Sequence, residues 1–283
     1  MRGKDMDSHS SDAVSGVQTV TANDRNAFER DGVVCLRSVI APEWLDVVAA
    51  AIEADIADPG PFFHGYDVGD GKTFHGNLRT WERHEGFRQY CMESPLPHLA
   101  QELMGSERVN LLYDQLFVKD AGTDSPTRWH NDQPYWPVRG RQVVSFWLAL
   151  DATTLDNGGM EFVAGSHQWD RWFQPESFGR TNGSAYTRNP DYEPMLDIDS
   201  KRDEYEILSW ELAPGDVLAF SAMTVHGAPA NLHATRRRRG YTVRYTGDDV
   251  TYFEDEGMAK PLFVDYLHNG DPLGGDRYPQ LLP

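Results

Sequence analysis

The chain reads as a mainly β protein: a double-stranded β-helix, or cupin-like jelly roll, with peripheral helices. Three observations predict this. Many short extended segments follow one another from about residue 108 onward, and a helical preface precedes them. Between the β-forming runs stand turn signals at Asp156-Asn157-Gly158-Gly159, Ala164-Gly165-Ser166-His167 and Pro214-Gly215-Asp216.

Taken in order, residues 1–20 are rich in Ser, Asp and Gly and are expected to be a disordered tail. Residues 21–283 are expected to form one domain, with a helical part over 21–107, a jelly-roll core over about 108–250 and a C-terminal extension over 251–283. Thr21 and Asp24 form a capping-box pattern, which predicts a short helix ending at Gly32. Val33–Leu36 and Val39-Ile40 read as a short strand. Pro42 opens a second helix, with Trp44, Leu45, Val48, Ile52 and Ile56 along one face, and Pro59-Gly60-Pro61 ends it. Phe62–Trp81 has no clear period and reads as a loop lying over a site. Leu96, Leu99, Ala100 and Leu103 predict a helix from Pro95 to Met104. Arg108–Lys119 and Gln142–Leu150 alternate as strands, the second with Val144, Phe146 and Leu148 on one face. Met160–Val163, Tyr205–Leu212, Val217–Ser221 and Gly240–Tyr245 are further strands. Gln168–Lys201 lacks a period, and its length suggests a lid or a substrate-facing insertion.

Composition narrows the function. The 283 residues carry a net charge of −18, which argues against nucleic acid and anionic lipid as partners. No apolar run approaches the roughly 20 residues of a membrane span, and the first fifteen residues have no secretory pattern. Two cysteines, Cys35 and Cys91, fit a reducing interior, so a cytoplasmic location is expected.

The chemistry centres on Trp129-His130-Asn131-Asp132. His130 and Asp132 are two apart, so an extended strand would send both side chains off one face. An imidazole nitrogen and a carboxylate oxygen side by side suit a divalent metal, and His226 is the best third ligand. Two histidines and one carboxylate on one face of an octahedron leave the opposite face open, as non-haem iron(II) oxygenases require. Other histidines are weaker: His167 follows a turn it would support, and His75 and His84 read as exposed polar positions. After His226 comes Arg236-Arg237-Arg238-Arg239-Gly240. Alternation places Arg238, Gly240, Thr242 and Arg244 on one face, where an inward arginine could clamp a dicarboxylate.

Together these segments resemble the phytanoyl-CoA dioxygenase family of iron(II)/2-oxoglutarate-dependent oxygenases. The resemblance rests on Phe117-Val118-Lys119, the His130 segment, Ser145–Asp151, Asn157-Gly158-Gly159, Gly165-Ser166-His167, Pro214-Gly215-Asp216, His226–Asn231 and the arginine-led strand, in that order. It implies His130, Asp132 and His226 as iron ligands and Arg238 as the 2-oxoglutarate arginine, with Arg237 and Arg239 as alternatives. It also implies that Gln115 and Trp147 line the cosubstrate pocket. Relatives often carry a small hydroxyl residue where this chain has Ala228, so one hydrogen bond to the cosubstrate would be missing or supplied by another group. The implied cofactor is Fe(II), with 2-oxoglutarate and O2 as cosubstrates; the implied reaction hydroxylates an unactivated C–H bond and releases succinate and CO2. Because Asp132 retains its carboxylate, halogenation is disfavoured. The partner is expected to be a free small molecule rather than a CoA thioester. Two other classes compete: a metal-dependent hydrolase or isomerase, and a non-catalytic small-molecule-binding jelly roll. The first has no need of an inward arginine after the distal histidine, and the second would be expected to have lost a ligand, whereas all three are present.

Overall fold

A computed structural model describes residues 19–67, 73–177 and 186–283. The expected tail falls almost wholly outside them, as does part of the 168–201 insertion. The elements run α1 (Ala22–Asp31), β1 (Val33–Leu36), α2 (Pro42–Ala57), β2 (His64–Asp67), β3 (Thr73–Leu78), α3 (Glu85–Glu93), α4 (Leu96–Met104), β4 (Val109–Lys119), β5 (Thr127–His130), β6 (Val138–Arg139) and β7 (Val143–Ala149). Then follow β8 (Glu161–Val163), β9 (Ile207–Ser209), β10 (Val217–Ser221), β11 (His226–Ala228), β12 (Arg238–Thr246), β13 (Thr251–Tyr252) and β14 (Gln280–Leu282).

The Thr21 and Asp24 side chains each accept from the other's backbone, and Gly32 closes α1 in the left-handed region at φ 77°. The larger sheet has eight strands in the order β1-β10-β7-β12-β4-β3-β2, with β14 also on β4. A four-stranded sheet, β5-β11-β8-β9, forms the second layer. Both are open sheets, so the jelly roll is a sandwich and not the closed barrel that the strand count alone would allow. Each long strand sends alternate residues to opposite sides. Leu116, Val118, Phe146, Leu148, Tyr241, Val243 and Tyr245 pack outward with Val48, Ile52, Phe87 and Leu99 of the helices. Trp147, Ala149, Phe162, Leu218 and Phe220 pack between the sheets.

Val39-Ile40 is not part of a strand, since β1 ends at Leu36, and two larger expectations need correction. Phe62–Trp81 is not a loop: β2 and β3 form a hairpin, and β3 pairs with β4 from Phe74↔Lys119 to Leu78↔Gln115. Phe74, His75, Gly76 and Asn77 are all buried, so both faces of β3 are covered and no alternation survives in its sequence. Nor are His75 and His84 exposed. Their Nε2 atoms lie 2.9 and 3.2 Å from the fully buried carboxylate of Asp55 on α2. The helix α3 gave no sequence signal strong enough to place it.

The outer layer also buries Asp114, whose Oδ2 accepts from the Thr80 and Tyr241 hydroxyls and the Trp81 amide. Burial outweighs these donors and raises its carboxyl to about 6. A carboxyl raised in the fold contributes stability below its unfolded value, and that contribution is lost as pH climbs through about 6. Asp114→Asn keeps an acceptor oxygen but cannot ionise. Relative to wild type, it should therefore gain stability between pH 4 and pH 7, by about 1–3 kcal/mol. Urea denaturation of both proteins across that range measures the difference; a flat difference overturns the assignment.

Candidate metal centre

In the smaller sheet β11 lies between β5 and β8, and His226 stands opposite His130 in the β11–β5 register. The imidazole centroids are 4.2 Å apart. Each Nδ1 meets a backbone carbonyl two residues back: Arg128 O at 2.7 Å for His130, and Thr224 O at 2.9 Å for His226. A carbonyl can only accept, so each Nδ1 carries the hydrogen and each Nε2 turns a lone pair inward.

Asp132 arrives by a route that strand geometry does not give. β5 ends at His130, and Asp132 has φ −76° and ψ −42°, where the chain enters a 3-10 turn over Gln133–Tyr135. The amides of Asp132 and Gln133 both donate to Ala222 O, at 2.8 and 3.0 Å, and this anchors the turn. The two side chains therefore converge through a bend, and not by sharing one face of a strand. Asp132 Oδ1 is 3.5 Å from His130 Nε2 and 3.9 Å from His226 Nε2.

One atom from each of the three residues lies within 4.8 Å of the others, and all three residues are buried. Two imidazole lone pairs and a carboxylate oxygen turned toward one point repel one another unless a cation sits among them. The donor set thus fits a divalent metal. Burial opposes ionisation of Asp132, but the charge around it, the Arg244 guanidinium foremost, holds the carboxyl below the usual range. Burial, with His130 beside it, pushes His226 down to about 3, so its imidazole is neutral at physiological pH.

The same cavity is lined by Gln115, Phe117, Trp147, Met160, Arg238, Thr242 and Arg244 beside the three residues. The structure separates the arginines cleanly. Arg237 is at the surface beside Glu53 and Asp120, and Arg239 pairs with Asp151 at 2.7 Å. Arg238 is turned inward and buried, and its Nε has no hydrogen-bond partner among the described residues. Its guanidinium lies 5.5 Å from the Trp147 ring centroid. Trp147 in turn covers Gly240, where an added Cβ would run into the indole. Gln115 stands at the junction of this cavity with a larger chamber.

Three inner-face residues had no role assigned from sequence. Arg244 and Ser145 face each other in the β12–β7 register, and both reach Asp132. Lys119, opposite Arg238 in the β12–β4 register, is fully buried and donates to Pro229 O at 3.0 Å. Strand alternation puts all three on the inner side; what they touch there is decided by other strands. His167 reaches Glu29 O at 3.2 Å and lies apart from the cluster, as expected of a turn-supporting residue.

The chain is similar to known proteins in sequence and in fold. The sequence profile of the family described as phytanoyl-CoA dioxygenase (PhyH) matches residues 28–240. The dioxygenase aneA of Aspergillus aculeatus is 27% identical over 196 residues, covering 66% of this chain and 57% of its own length. A probable phytanoyl-CoA dioxygenase of Caenorhabditis elegans is 25% identical over 241 residues, covering 83% of this chain and 71% of its own. In fold, the chain is similar to the non-haem α-ketoglutarate-dependent carbocyclase SnoK from nogalamycin biosynthesis, with a TM-score of 0.73, 22% identity and coverage of 92% and 96%. Among the described residues no helix is long and apolar enough to cross a membrane. The chain belongs to the phytanoyl-CoA dioxygenase family, whose members are iron(II)- and 2-oxoglutarate-dependent dioxygenases.

Proposed function

We propose that the protein hydroxylates an unactivated C–H bond of a bulky, free small molecule, with His130, Asp132 and His226 holding the iron. The observation that carries this reading is the meeting of three inward acceptors with a buried, unpaired arginine on one cavity. When bound, ferrous ion and 2-oxoglutarate supply the oxidising chemistry and release succinate and CO2. The protein's own part is placement. Arg238 offers a planar pair of donors to the distal carboxylate, Trp147 supports that guanidinium from below, and Gln115 borders the pocket on the substrate side. A hydrolase or a binding-only jelly roll has no use for a buried cation beside the ligand cluster.

The chamber beyond Gln115 favours the substrate class. It has a volume of about 1040 Å³, at the upper end of the range for small-molecule sites. Phe62, Phe63, Tyr186 and Phe263 give it aromatic walls, and Glu176, Glu254 and Glu256 make its rim acidic. Tyr135 links the two spaces: its ring meets His130 at 5.8 Å and Tyr186 at 5.2 Å. An acidic rim disfavours the phosphates of a CoA thioester and suits a neutral or cationic polycyclic compound. Given ferrous ion, 2-oxoglutarate and oxygen, the purified protein should form succinate, faster when a substrate of this class is added. Turnover of a substrate with zinc alone, and no consumption of 2-oxoglutarate, would overturn the reading.

A further inference from the structure

We propose that Arg244, with Ser145 beside it, is a positioning residue that holds Asp132 by its outer oxygen, so that the carboxylate meets the metal through Oδ1 alone. This rests on the metal-site reading above. The two oxygens of Asp132 have different neighbours. Oδ1 faces the histidine Nε2 atoms at 3.5 and 3.9 Å, while Oδ2 accepts from Ser145 Oγ at 3.2 Å and lies 3.7 Å from Arg244 Nε.

Arg244 is well placed for this and poorly placed for anything else on the protein. Its side chain is 4% exposed. The guanidinium lies over the rings of Tyr113 and Trp136, with centroid distances of 4.4 and 5.2 Å, which fixes its plane. Nε and Nη1 have no hydrogen-bond partner among the described residues, and Asp132 is the one carboxylate within ion-pair range there. Cross-strand pairing of Arg244 with Ser145 brings both groups to the same oxygen from adjacent strands. Asp132 is held from the main-chain side as well, through its amide on Ala222 O.

The chemical consequence concerns coordination number. A carboxylate can bind a metal through one oxygen or two, and a second bond from Asp132 would take a position that the keto acid or dioxygen needs. A guanidinium and a hydroxyl on Oδ2 compete with that second bond. Groups that orient a metal ligand in this way typically alter metal affinity by about 10–100-fold when removed.

Cobalt(II) serves as the probe, because its visible absorption reports coordination number without turnover. Wild type, Arg244→Gln, Arg244→Lys and Ser145→Ala would each be loaded with cobalt(II), and their ferrous affinity measured by chelator competition. We expect Arg244→Gln to change the cobalt spectrum and weaken ferrous binding roughly tenfold or more. Arg244→Lys should restore part of both. Ser145→Ala, a smaller change at the same oxygen, should move both readouts in the same direction and covers the case in which Arg244→Gln fails to fold. A wild-type spectrum and affinity in a folded Arg244→Gln overturn the proposal. So does a raised KM for substrate with an unchanged cobalt spectrum, which would make Arg244 a contact for a substrate anion instead. A wild-type protein that takes up no cobalt removes the metal reading itself, and that failure is distinct from the other two.

Discussion

His226→Ala is expected to eliminate turnover of 2-oxoglutarate and to weaken ferrous binding by more than about 100-fold, beyond what loss of an orienting neighbour causes. The protein as purified would be dialysed against ferrous ion without oxygen, its metal content measured and its succinate formation followed. The size of the effect follows from the geometry. His226 supplies one of three inward donor atoms, and its Nδ1 is already committed to Thr224 O. No other His, Cys, Asp or Glu among the described residues joins that cluster to replace it. The fold should survive, because β11 is held by backbone pairing to β5 and β8 and not by the imidazole. Without metal, removing one of three mutually repelling acceptors relieves crowding and offsets part of the packing lost where the buried ring meets Phe162 and Phe220, so the apo variant should melt at or modestly below the wild-type temperature. His130→Ala should behave alike. Full ferrous uptake and turnover in a folded His226→Ala would sink the metal assignment.

Much of this was legible in the sequence, though not always for the reason first available. His130, Asp132 and His226 stand out by residue type and order, yet the strand rule that paired the first two does not operate here. Asp132 swings inward because Ala222, ninety residues away in the chain, captures its amide. Alternation along β12 did put Arg238 and Arg244 on one face, since the period of two is a local property; that this face is the inner one follows from the packing of the two sheets. What Arg244 touches there is not local: Ser145, Tyr113 and Trp136 come from three other segments. The same holds for the layers. β4 and β7 show alternation, whereas β3 is covered on both sides and hides its character. Asp55 reads as a polar residue of α2, and only the arrival of His75, Asn77 and His84 explains its burial.

Arg238→Met is expected to weaken 2-oxoglutarate binding by about 2–5 kcal/mol, roughly 30- to 4000-fold, and to make the protein without cosubstrate more stable. The two effects have one origin. Burial lowers the Arg238 guanidinium to about 10, so the cation is retained at neutral pH against a desolvation cost, relieved partly by Trp147 and by distant Asp151. No carboxylate of the described residues forms an ion pair with it, and its Nε stays unsatisfied. A dicarboxylate arriving in the cavity would satisfy both charge and hydrogen bond, and that is where the binding energy arises. Methionine has comparable length and no charge, so it removes the desolvation cost; replacing buried ionic groups by apolar ones of similar volume can stabilise by about 1–4 kcal/mol. Arg237→Met and Arg239→Met serve as controls. Their partners, Glu53 with Asp120 and Asp151, are surface or half-buried ion pairs, so cosubstrate affinity should stay within about twofold of wild type. Titration calorimetry of 2-oxoglutarate into the metal-loaded proteins, with thermal melting of the apo forms, reads both effects. Wild-type affinity in Arg238→Met together with a loss in Arg239→Met would move the clamp to the neighbouring residue.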